Sequence, residues 1–85
     1  MSLSWTDEAW EQYLAWETQD RKARNRINAL IKDIQRNGAM KGIGKPEPLK
    51  YRQGYSRRID DTNRLIYDVS GKDLIIASCK GHYEE

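Results

Sequence analysis

The apolar positions along this chain change their period twice. Leu3 and Trp5 alternate with polar neighbours, the signature of a short strand. From Ala9 the spacing becomes helical: Ala9, Trp10, Tyr13, Leu14 and Glu17 recur on one stripe, with Trp16 off it. Thr6 is placed to cap this helix, and Asp7 and Glu8 in its first turn suit the positive end of the helix dipole. A second helix is expected to begin near Gln19 or Asp20 and run to Arg36. Its stripe is Ala23, Ile27, Leu30, Ile31 and Ile34, and Asn37-Gly38 is its stop. Both stripes read as core, and the two helices as a hairpin laid on one face of a sheet.

Ala39 to Pro48 is a basic loop punctuated by glycine and proline. Gly42-Ile43-Gly44-Lys45 is not a phosphate-binding loop, because the glycine spacing and the Lys-Ser/Thr ending are missing. Beyond it the period falls to that of strands. Leu49 to Gln53 and Tyr55 to Ile59 are separated by a turn at Gly54. Asp60 to Asn63 is a second turn, and Arg64 to Val69 a third strand. After the turn Ser70-Gly71-Lys72-Asp73, Leu74 to Cys79 reads as a central strand buried on both faces. The expected fold class is α+β: a short N-terminal strand and a helical hairpin packed on an antiparallel sheet.

With 85 residues the chain holds one domain, 1–85, of a size only marginally able to bury its own core. No run approaches a membrane span, and the N-terminus lacks a secretion signal, so a cytoplasmic protein with no membrane partner is expected. The single cysteine, Cys79, lies in an apolar run and reads as a reduced core thiol. One histidine and one cysteine make no structural zinc set, and neither metal nor cofactor is expected. Net charge is only +2, but residues 21–58 hold twelve Lys and Arg against Asp33 and Glu47. Such a local excess favours a polyanionic partner, although an acidic protein would suit the same field.

In a meander of four antiparallel strands, the start of the first, the end of the second, the start of the third and the end of the fourth share one end of the sheet. Glu47, Arg58, Arg64 and His82-Tyr83 occupy those positions. A carboxylate, a guanidinium and an imidazole suffice to cleave RNA, whose 2′-OH is itself the nucleophile. Glu47 would take the 2′-OH proton, Arg64 would hold the phosphate oxygens, and His82 would protonate the 5′-oxygen. Tyr83 could stack on a base or donate its hydroxyl. Blander roles compete: a solvated tail histidine, a rigid loop around Glu47, an edge-strand charge pair at Arg57-Arg58, or pairing of Arg64 with Asp60 or Asp61.

Several segments resemble the YoeB/Txe-type toxins of the RelE superfamily of toxin–antitoxin systems. They are Trp5 to Trp16, Arg26 to Arg36, Gly44-Lys45-Pro46-Glu47-Pro48-Leu49-Lys50, Ser56-Arg57-Arg58-Ile59, Asn63 to Tyr67 and His82-Tyr83. The resemblance implies a microbial-RNase fold and cleavage of mRNA in the ribosomal A site. It implies a cognate YefM-like antitoxin whose C-terminal segment covers the site, and it allows a homodimer. Glu47 then matches the family's general base, Arg64 its phosphate-stabilising arginine, His82 its general acid and Tyr83 its active-site tyrosine. Lys50 and Arg58 match residues near the RNA path. Glu84-Glu85 extends beyond the usual His-Tyr ending, and the stretch 51–55 is shorter than in some relatives. Two other readings stay open. One is a superfamily relative that inhibits a protein such as DNA gyrase; the other is a non-catalytic RNA-binding module.

Overall fold

The computed structural model describes residues 1–81. Strand β1 (Ser2–Trp5) is followed by helices α1 (Asp7–Gln19) and α2 (Arg21–Asn37), then by strands β2 (Glu47–Pro48), β3 (Tyr55–Arg58), β4 (Arg64–Ser70) and β5 (Asp73–Ser78). The sheet order is β1-β5-β4-β3-β2. From β2 to β5 every pairing is antiparallel, as the meander requires, while β1 lies parallel to β5, making the sheet mixed.

Local chemistry sets the helix boundaries. The Thr6 hydroxyl accepts from Ala9 N and donates to Ala77 O, so one side chain caps α1 and ties it to β5. Asp20 turns the chain between the helices: its N–H donates to Trp16 O, and its carboxylate accepts from Lys22 N and Ala23 N. Gly38, at φ 92°, closes α2 by donating to Ile34 O. The expected α2 stripe is buried at all five positions, Ala23, Ile27, Leu30, Ile31 and Ile34. In α1 the stripe is turned from the expected one. Ala9, Tyr13 and Trp16 face the core, whereas Trp10 and Leu14 are exposed. Gln12 decides this rotation, since its amide oxygen lies against β5 and accepts from Cys79 N at 2.7 Å.

The strand reading needs two corrections. Leu49 to Gln53 is not a strand. Leu49 N donates to Gly54 O, folding the segment into a closed loop, and Pro46 and Pro48 have no N–H with which to extend a ladder. Gly54, at φ 132°, accepts this closure because a Cβ there would stand 3.1 Å from both Leu49 and the Tyr67 carbonyl. Strand β5 is not buried on both faces. Leu74 and Ile76 are buried against the helices, while Ile75 and Ala77 are only half-buried, because both helices cover the same side. No described helix covers the opposite side of the sheet, where Ser56 and Ile66 are nonetheless buried.

Candidate active site on the open face of the sheet

Side chains alternate across a sheet, so register decides which residues meet on the open face. Glu47 pairs with Ser56, Ser56 with Ile66 and Ile66 with Ser78, one row across four strands. Arg58 pairs with Arg64 two residues further along, so both arginines share that face. Leu65 and Tyr67 alternate to the other side and enter the core. At adjacent-strand spacing of roughly 5 Å, Glu47 lies within about 10 Å of the Arg64 strand. The Arg64 side chain leans back along this row, its Nη1 3.5 Å from Ser56 Oγ. Glu47 and Arg58 are exposed and Arg64 is half-buried. Arg64 therefore reaches toward Glu47's cross-strand partner, while Asp60 is engaged by its own turn.

The β4–β5 pairing carries a bulge: Tyr67 opposes Ile76 but Ile66 opposes Ser78. The extra residue, Ala77, bends β5. Ile66, Ala77, Ser78, Lys80 and Gly81 then line a shallow hollow closed by Glu8 and Arg52. Several contacts hold that segment. Trp16 Nε1 donates to Cys79 O, Gln12 accepts from Cys79 N, and Arg64 N donates to Gly81 O at 3.0 Å. His82 and Tyr83, like Glu84-Glu85, lie outside the described residues. The peptide immediately before His82 is bonded to the backbone of Arg64.

Arg57 is not part of an edge-strand charge pair. It is fully buried, with side-chain exposure of 0%. Its Nε donates to Tyr67 Oη, and its Nη1 to Asp33 and to Ile43 O. Its Nη2 bonds Gly38 O and Lys41 O. One guanidinium thus gathers the carbonyls of loop 38–43, and Tyr67 Oη adds a bond to Ala39 O. The hydrogen bond from Arg57 holds the Asp33 carboxyl below its usual range, helped by Ile43 N and Asn37. Arg58 N then donates to Gly44 O, and Glu47 follows three residues later. This network escapes sequence reading because Arg57 alternates with Arg58, and only the position of the helices shows which of the two is inside. The signal that could have found it is Asp33, an acid on the otherwise basic helix α2.

Cys79 is buried beside Ala9, and burial pushes its thiol up to about 12. It is a core residue, not a nucleophile. No helix among the described residues is long and apolar enough to cross a membrane.

A helical hairpin on one face of a mixed five-stranded sheet is the architecture of YoeB and the RelE-like toxins. Residues 5–83 match the model of the YoeB-like toxin of bacterial type II toxin–antitoxin systems, and the chain belongs to that family. It is 49% identical to Toxin YoeB of Streptomyces coelicolor, over 98% of this chain and the whole of that one. The dimeric YoeB of Staphylococcus aureus superposes with a TM-score of 0.92 at 45% identity, covering 98% of both chains. YoeB in the heterotetrameric YoeB–YefM complex of the same organism gives 0.91 at 45% identity, again covering 98% of both.

Proposed function

We propose that this toxin is a ribosome-associated endoribonuclease that cuts mRNA in the ribosomal A site by attack of the 2′-OH, and so arrests translation in the cytoplasm. The observation that carries the reading is the register of the open face. It groups Glu47, Arg58 and Arg64, with the peptide before His82 bonded to Arg64. Glu47 takes the 2′-OH proton. Arg64 presents parallel N–H donors to the phosphate oxygens as charge accumulates at phosphorus. His82 protonates the 5′-oxygen as it leaves, and Tyr83 acts beside it on the base or the leaving group. The products are a 2′,3′-cyclic phosphate and a 5′-OH. Lys50 and Arg58 guide the RNA backbone, and the surplus of Lys and Arg over residues 21–58 suits ribosomal RNA. A YefM-like antitoxin is the natural silencing partner, and a second copy of the chain a further one, as in the Staphylococcus aureus assemblies.

The reading is tested in a translating extract with primer extension on the mRNA. The unaltered protein should cut within codons occupied by ribosomes. Glu47→Gln should lower the cutting rate by about 10²–10⁴-fold, the usual range for loss of a general base. Arrest of translation without any cut, or cutting undiminished in Glu47→Gln, would refute it.

A further inference from the structure

The segment that carries Glu47 is weakly held by its own ladder. Strand β2 has two residues, and prolines stand at 46 and 48, so Glu47 N–H is the only backbone donor among residues 46–48. Beyond the pairing with Ser56, its place depends on an anchor at either side. After it, Leu49 N donates to Gly54 O at 3.0 Å, and before it, Arg58 N donates to Gly44 O at 2.7 Å. Gly44 is closely seated: a Cβ there would lie 2.7 Å from Leu30 Cδ2 and 3.2 Å from Arg57 Cβ. From Gly44 to Glu47 the chain is stiff. Pro46 has its φ fixed by its ring, and Lys45 is left-handed at φ 51°, the one non-glycine of positive φ among the described residues. A lysine stays in that costly conformation only where its surroundings impose it.

We propose that Arg57 is a positioning residue for Glu47, acting through loop 38–44 and resting on the ribonuclease reading above. Its guanidinium donates to the carbonyls of Gly38, Lys41 and Ile43 at 2.9, 2.7 and 3.0 Å. Asp33, its ion-pair partner, accepts from Ile43 N at 3.0 Å. Ile43 is thus gripped at both its N–H and its carbonyl, one residue before Gly44. The backbone of the next residue, Arg58, then takes Gly44 O. Two consecutive residues of β3 therefore fix where the stiff segment leading to Glu47 begins. Arg57 is fully buried and out of reach of RNA, so its effect on cutting has to pass through the groups it holds. A displacement of about 1 Å at a general base costs on the order of 10²-fold in rate.

The experiment is a double-mutant cycle, read as kcat and KM on ribosome-bound mRNA at a temperature where circular dichroism shows each variant folded. Arg57→Lys should lower kcat by roughly 10²-fold with KM unchanged. Added to Glu47→Gln it should cost nothing further, because the group it positions is already gone. A merely structural role would lower both backgrounds alike. Tyr67→Phe is the milder variant, and it carries the test if Arg57→Lys does not fold. It keeps the ring but removes the hydroxyl that accepts from Arg57 Nε and donates to Ala39 O. Its loss should be about 10-fold, again only where Glu47 is present. Equal losses with and without Glu47→Gln, or none in either, would overturn the assignment of Arg57 and leave the ribonuclease reading standing. Cutting by Glu47→Gln at the unaltered rate would overturn the reading and the assignment together.

Discussion

Among single residues, the two adjacent arginines of Ser56-Arg57-Arg58-Ile59 have opposite fates. Arg58 is exposed on the open face, and Arg57 is enclosed on the other with its donors spent on loop 38–43. Lysine cannot replace that fork. Arg57→Lys should therefore lower the urea midpoint, because one ammonium cannot meet all the acceptors that the fork engages. Arg58→Lys should leave the urea midpoint unchanged. Equal midpoints for the two variants would contradict the enclosed position of Arg57. Cys79 makes a complementary prediction. With its thiol raised to about 12, it should resist iodoacetamide at pH 8 in the folded protein and react once urea unfolds the chain. Rapid alkylation of the native protein would place the thiol at the surface instead.

For whole elements, the α2 stripe is legible in the sequence because each turn offers an aliphatic side chain to one face and nothing competes with it. The stripe of α1 escapes periodicity because a glutamine, counted as polar, lies on the inner face to satisfy the backbone of Cys79. Strand β2 misleads for the converse reason: its apolar neighbour Leu49 packs over a loop glycine while prolines stop the ladder. Grouping of Glu47, Arg58 and Arg64 is legible from topology alone, but their common face depends on a register that only the structure supplies. The clamp on loop 38–43 carries a pH signature. Asp33 titrates below its ordinary 3.8 in the folded state, chiefly through Arg57, so its contribution is present above that value and lost as pH falls through the folded one. Stability should therefore hold above about pH 5 and decline below about pH 4. An amide has no such titration, so the Asp33→Asn variant should be less stable at neutral pH and show a shallower acid limb. An unchanged acid limb would remove Asp33 from the clamp.

Taken whole, the molecule divides its labour between two sides. The helices bury one face of the sheet and fix the strands, and the other face carries Glu47, Arg58 and Arg64. The set proposed here uses RNA's own hydroxyl as nucleophile: Glu47 removes a proton, Arg64 steadies phosphorus and His82 returns a proton. On the ribonuclease reading, with twelve Lys and Arg between positions 21 and 58, binding to RNA should weaken steeply with added salt. The most direct measurement programs ribosomes with an mRNA carrying one 2′-deoxy nucleotide immediately 5′ of the cut phosphate. Cleavage should vanish at that bond alone, and the unmodified mRNA should yield a 2′,3′-cyclic phosphate facing a 5′-OH. Cleavage that persists at the deoxy position, or products ending in a 3′-OH and a 5′-phosphate, would contradict the mechanism.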